Sequence, residues 1–197
     1  MPETGFVFCC FSNNYKVTPA MFDAWMRVLS RVEGSVLWVL GDNDTAVRNL
    51  RMEAQRRGVA PERLVFAKRL PLDQYLARFR LADLFLDTLP YNAHSTASDA
   101  LWAGLPLLTC VGETFAGRVG ASLLRAVGLP ELVAQSPARY EELAIALATN
   151  PHRLGNLRER LEKNRLSQAL FDAPRFARNL EAAYREMAQA QKKKGRS

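Results

Sequence analysis

The stretch Asp87-Thr88-Leu89-Pro90-Tyr91-Asn92-Ala93-His94-Ser95-Thr96 carries the richest set of polar groups in the sequence, and it runs into Ala97-Ser98-Asp99. It lies between a short apolar run, Leu84-Phe85-Leu86, and a helix expected over 96–103. The first backbone amides of a helix have no partner within it, and the helix dipole makes that end positive, so an anion is favoured there. Ser95 and Thr96 add hydroxyl donors, and His94 adds an imidazole able to donate to phosphate. The same residues also fit a helix cap, since Thr96-x-x-Asp99 and Ser95-x-x-Ser98 have capping-box spacing. On the residues alone, phosphate cradle and cap both stand, although the loop is long and polar for a pure connector.

Other loops carry less. Ser12-Asn13-Asn14-Tyr15-Lys16 follows an apolar run and precedes a helix, which puts Lys16 near any phosphate bound in this region; on the residues alone a solvated surface lysine is the commoner reading. The loop has neither the glycine fingerprint of a dinucleotide site nor the Walker pattern. Asp42-Asn43-Asp44 resembles the acidic pair that holds a metal in some sugar transferases, but short polar residues ahead of a helix are more often a turn and N-cap, and no metal is expected. Gly112-Glu113-Thr114 either lines a cleft or caps a first turn. His152 follows Pro151 at a helix start and is expected to be exposed. His94 is thus the one histidine in a candidate cleft, and no Ser/His/Asp or Cys/His set is supported.

These loops hang on alternating elements. Continuous apolar runs at 5–11, 35–40, 64–67, 84–86, 105–109 and 132–134 have the character of parallel strands buried on both faces. Between them, helices are expected at about 18–32, 44–57, 71–82, 96–103 and 113–127. Thr18-Pro19 starts the first, Phe22, Trp25, Met26, Leu29 and Val32 form its apolar stripe, and Gly58, Gly104 and Gly128 end others. After Ser136-Pro137 the chain is expected to be wholly helical, at about 138–149, 151–166 and 174–190. Six such units predict an α/β, Rossmann-like, doubly wound parallel sheet of about six strands followed by C-terminal helices. In that fold, ligands sit where the carboxyl ends of the strands meet helix N-termini, which are the loops singled out above.

The 197 residues suit one domain, over 5–190. Nearly half the residues are apolar and about a quarter are charged, an ordinary globular balance with material for a full core. No apolar stretch approaches the roughly 20 residues of a membrane span, and the start has no signal-peptide pattern. Cys9, Cys10 and Cys110 are an odd set without metal spacing, expected as reduced, buried thiols of a cytoplasmic protein. Of the net charge of +7, Lys192, Lys193, Lys194 and Arg196 supply four, so 191–197 is expected as a disordered basic tail. Basic residues elsewhere are not interleaved with aromatics, so neither nucleic acid nor membrane is an expected partner.

Several segments together resemble the C-terminal catalytic lobe of the bacterial O-linked N-acetylglucosamine transferase and SPINDLY family. They are Phe11-Ser12-Asn13-Asn14-Tyr15-Lys16, Arg69-Leu70-Pro71, the run from Leu81 to Asp99, Leu101-Trp102-Ala103-Gly104 and Gly112-Glu113-Thr114-Phe115-Ala116-Gly117-Arg118. They recur in order over about 5–190. The resemblance implies a GT-B glycosyltransferase with two Rossmann-like lobes. A nucleotide sugar is held between them, tetratricopeptide repeats precede them, and sugar passes to Ser or Thr hydroxyls without a metal.

Carried over by position, Lys16 contacts the donor diphosphate and is the candidate catalytic residue. His94, Ser95 and Thr96 cradle the phosphates, and Asp99 accepts from the ribose hydroxyls. Leu70-Pro71-Leu72 flanks the base, with Arg78 near it. Three positions depart from animal relatives: Leu72 replaces a lysine, Tyr75 stands where a histidine is common and can still stack, and Asn13 replaces a glutamine.

No cofactor beyond the donor is implied; UDP-N-acetylglucosamine is the donor expected, with a GDP-sugar the other candidate. The family's other lobe supplies proton transfer and much of the acceptor site, and it would precede Gly5. The chain is therefore expected to be an excised domain or a truncated gene product, one that binds UDP or a UDP-sugar weakly and transfers nothing alone. Its partners would be the missing lobe, the repeats and a protein acceptor. Two alternatives are a self-contained sugar-nucleotide epimerase or hydrolase, which needs a full acid/base pair in the cleft, and a non-enzymatic α/β interaction module, which needs an exposed apolar patch.

Overall fold

Runs of Val, Leu, Phe and Cys with no polar alternation become strands buried on both faces, and the computed structural model of the chain describes residues 5–194 in this way. The strands are β1 (Val7–Cys10), β2 (Val36–Leu40), β3 (Leu64–Ala67), β4 (Leu84–Leu86), β5 (Leu107–Cys110) and β6 (Val133–Ala134). All neighbouring pairs are parallel, and the order is β3-β2-β1-β4-β5-β6. The chain winds one way from β1 to β3 and the other way from β4 to β6, so the connections part between β1 and β4. That gap is the switch point at which such sheets hold ligands.

The helices are α1 (Pro19–Arg31), α2 (Asp44–Arg56), α3 (Leu72–Arg78), α4 (Ser95–Trp102), α5 (Val119–Ala126), α6 (Pro137–Ala148), α7 (Pro151–Ser167) and α8 (Ala173–Lys194). Local chemistry sets most of their starts. Thr18, Asn43, Ser136 and Asn150 each accept a hydrogen bond from a first-turn amide, and proline opens α1, α6 and α7. The core is one body across the sheet, with Trp25, Phe8, Phe79, Phe85 and Tyr140 among its largest buried side chains. Cys9, Cys10 and Cys110 are buried and unbridged. Among the described residues, no helix is long and apolar enough to cross a membrane.

Three boundaries differ from the sequence-based expectation. The helix expected at 113–127 begins only at Val119, because the segment before it is spent on tertiary bonds. The Gly112 amide donates to the Gly117 carbonyl (2.7 Å), and the Ala116 carbonyl accepts from the Asn92 amide (2.9 Å). The helix expected at 71–82 ends at Arg78 and tightens into a 3₁₀ turn over Phe79–Leu81. At the other end, α8 continues through Lys194, into the stretch expected as a disordered tail. Ala, Gln and Lys are strong helix formers and prolong it. Residues 195–197 lie outside the described residues.

Candidate functional site

A cavity of about 570 Å³ opens at the carboxyl ends of β1 to β4, on the switch point. Of the residues expected at the site, Asn13, Lys16, Leu70, Tyr75, Arg78, His94, Ser95 and Thr96 line it. Two do not. Leu72 opens α3 with 69% of its surface exposed, and Asp99 sits a turn along α4, half-buried behind the cavity wall. Phe11, Ser12, Tyr15, Leu40, Arg69 and Tyr91 complete the wall; none was given a role of its own from the sequence. Tyr91 carried a signal, being a lone aromatic in a polar loop.

The N-terminus of α4 bears on the cap reading of the 87–99 segment. Its N-cap is His94, whose side chain makes no capping bond, and neither Ser95 nor Thr96 caps the helix. The first-turn amides are therefore not occupied by a side chain, and the cap alternative is not realised. His94 is instead held by neighbours: its ring lies 5.1 Å from that of Tyr91 and 6.3 Å from that of Phe115.

Lys16 reaches this helix end from the other strand. A single 3₁₀ turn after β1, Asn14–Lys16, carries it across the gap. Its Nζ donates to the Asn92 carbonyl (2.9 Å) and stands 3.9 Å from the centre of the Tyr91 ring. The ammonium is thus pinned beside the loop, and among the described residues it forms no salt bridge.

The Asp42-Asn43-Asp44 stretch is the turn and N-cap expected of it. Asn43 caps α2, while Asp42 takes Arg69 (2.8 Å) and the Asn14 amide (3.2 Å). Arg69 also donates to Asn13 (3.0 Å), which ties the β1 and β3 loops across the cavity floor.

Arg78 is the unusual cation. It is 5% exposed and has no carboxylate partner among the described residues, and its guanidinium lies 4.4 Å from the Phe11 ring and 5.2 Å from that of Tyr75. Nη1 donates to the Lys68 carbonyl (2.9 Å), but Nε has no partner. Burial lowers its pKa. A buried N–H left unpaired is costly, and here it belongs to a residue that faces the cavity. Tyr75, Thr96 and Asp99 meet across α3 and α4: burial pushes the Tyr75 phenol and the Asp99 carboxyl up, and the phenol partly offsets the shift at Asp99.

Beneath the loop lies a carboxylate that sequence reasoning passed over. Asp87, 1% exposed at the end of β4, accepts from the amides of Thr88 (2.8 Å) and Ala93 (2.6 Å) and from the Thr109 hydroxyl (2.6 Å). Its pKa is raised from 3.8 to about 7, chiefly by burial, against those three donors and the charge of Lys16. Cys10, Cys110 and Tyr140 are the other titratable groups that feel it. Folding thus tightens proton binding at Asp87, so its stabilising effect is fully present below about pH 4 and is lost as pH climbs towards 7. Asp87→Asn should flatten that decline by up to about 4 kcal/mol. Melting temperatures from pH 4.5 to 8 check it, and parallel curves for variant and parent would refute it.

A model of glycosyl transferase family 41 matches residues 1–180. The chain is 36% identical over 181 residues to the UDP-N-acetylglucosamine–peptide N-acetylglucosaminyltransferase of Caenorhabditis elegans, covering 92% of this chain and 16% of that protein. It is 38% identical over 188 residues to the probable UDP-N-acetylglucosamine–peptide N-acetylglucosaminyltransferase SEC of Arabidopsis thaliana, covering 95% and 19%. Its fold superposes on a mutant of the Thermobaculum terrenum O-GlcNAc transferase with a TM-score of 0.89 and 34% identity, over 93% of this chain and 36% of that one. The chain thus spans less than a fifth of the length of these two curated relatives.

Proposed function

This chain belongs to glycosyl transferase family 41, and from that membership we propose that it is the nucleotide-sugar-binding lobe of a protein O-glycosyltransferase. The donor is UDP-N-acetylglucosamine and the acceptor a Ser or Thr hydroxyl. One observation carries the reading: the Lys16 ammonium is held 2.9 Å from the Asn92 carbonyl, beside the uncapped N-terminus of α4, at the switch point of the sheet.

Transfer breaks the bond between the sugar anomeric carbon and the diphosphate, and negative charge gathers on the departing phosphate. Lys16, the amides opening α4 and the hydroxyls of Ser95 and Thr96 stabilise that charge from fixed positions. His94 donates to the same group. The unpaired Nε of Arg78 and the ring of Tyr75 suit the carbonyl edge and face of a base, with Leu70 beside them.

The proton of the acceptor hydroxyl is taken outside this chain, by a second lobe. The apolar stripe of α8, with Phe176, Tyr184 and Met187 more than 60% exposed, supports work within a larger protein. Titration calorimetry on this chain tests the reading. UDP should bind, and uridine should bind more weakly, because it lacks the phosphates. No heat with UDP at millimolar concentration overturns the donor reading, and sugar transfer by this chain alone overturns its role as one lobe of two.

A further inference from the structure

The loop that presents Asn92, His94 and the start of α4 must hold its shape without a helix or strand of its own. Its two ends, Thr88 and Ala93, both donate their amides to one oxygen of Asp87. Inside that clasp, the Thr88 hydroxyl donates to the Tyr91 carbonyl (2.7 Å), and the Asn92 side chain donates to the Thr88 carbonyl (2.7 Å). The Asn92 carbonyl is left pointing at Lys16. The other oxygen of Asp87 accepts from Thr109 on β5, which ties the clasp to the sheet. The Asp87 carbonyl accepts from the Tyr140 hydroxyl (3.0 Å), which in turn accepts from the Trp25 indole (3.1 Å).

We infer that Asp87 is a positioning residue for donor binding: from below the cavity, its carboxyl clasps the two ends of the 88–93 loop and so sets where Lys16 and the α4 N-terminus meet the diphosphate. This rests on the proposed donor reading. Asp87 does not line the cavity. What the clasp requires is an acceptor oxygen, not a negative charge. A neutral amide keeps the oxygen for Thr88 and Ala93, and the Thr109 hydroxyl can rotate to accept from the new NH₂. Alanine removes the acceptor and strands the Ala93 amide in a dry interior.

Asp87→Asn should therefore keep UDP affinity within about twofold of the parent, while Asp87→Ala weakens UDP at least about tenfold, a loss in keeping with small misplacements of a binding group. Uridine affinity should stay the same in all three, because only the phosphate part of the site moves. The parent failing to bind UDP sinks the donor reading itself. A parent that binds, with Asp87→Ala binding equally well, or with Asp87→Asn losing tenfold, sinks the clasp alone. Should Asp87→Ala not fold, amide hydrogen exchange of the parent decides. The Ala93 amide is expected to exchange as slowly as strand amides of β4, and exchange at the rate of exposed loop amides overturns the inference.

Discussion

Lys16→Ala is expected to weaken UDP binding by about 10- to 100-fold and to leave uridine binding unchanged. Hydrogen bonds to charged groups contribute about 1.5–3 kcal/mol each, and Lys16 offers a single ammonium at the proposed diphosphate position. Among the described residues that line the cavity, the other cations are Arg69 and Arg78, and neither is placed to substitute for it. Arg69 is engaged by Asp42 and Asn13, and Arg78 is buried under the aromatic rings on the far side of the cavity. In a complete enzyme the loss in turnover should be larger, about 10²–10³-fold, because charge on the leaving phosphate peaks in the transition state. The fold should survive, since Asn92 keeps its ties to Thr88, Ala116 and Gly120 when Lys16 is cut back. Equal UDP affinity in calorimetry for variant and parent, with matching circular dichroism, removes Lys16 from the phosphate site.

A second large effect is expected at Gly120, where α5 crosses over Asp87. A methyl group there would stand 2.5 Å from an Asp87 carboxyl oxygen and 2.7 Å from the Thr109 hydroxyl, both buried and bonded to each other. Either the helix backs away or that bond breaks. Overpacking costs about 1–3 kcal/mol, and a stranded buried polar group about 1–3 more. In a domain of this size each kcal/mol is about 2–4 °C of melting temperature, so Gly120→Ala should lower Tm by roughly 5–20 °C. Gly155 is the control: it lies in α7 with open space where a methyl group would go. Gly155→Ala should raise stability by about 0.5–1 kcal/mol, as alanine does in a helix. Equal melting temperatures for the Gly120 and Gly155 variants would contradict the steric account.

The alternation of elements was open to view in the residues because it is a local property. Continuous apolar runs leave no face for water, and a capping residue followed by proline starts a helix wherever it occurs. Thr18-Pro19, Ser136-Pro137 and Asn150-Pro151 begin helices where their chemistry says they should. The site loops followed from the same logic, since a doubly wound sheet puts its ligands at the carboxyl ends of its strands. Where local chemistry misled, a distant bond had claimed the groups. Residues 113–118 were expected as the first turns of a helix, but Gly112, Ala116 and Gly117 are held in a turn that braces the 90–93 loop.

The role of the 92–99 segment shows the same division. Its residues suit a cap and a phosphate cradle alike, and nothing in their order separates the two. Two features outside that order favour the proposed cradle: His94 takes the N-cap position without capping, and Lys16, 76 positions back in the chain, arrives at the Asn92 carbonyl. Asp87 was invisible for a related reason: a lone carboxyl after an apolar strand has no motif, and its meaning lies in donors from Ala93 and Thr109 that sequence spacing does not bring together. Composition and periodicity dictate which elements form and at which edge of the sheet a ligand belongs, because both follow from how each segment hides its own apolar groups and satisfies its own backbone. Which side chains face one cavity, and which acceptor holds a loop in shape, is settled by contacts between β1, β4 and β5, and those exist only once the sheet has closed.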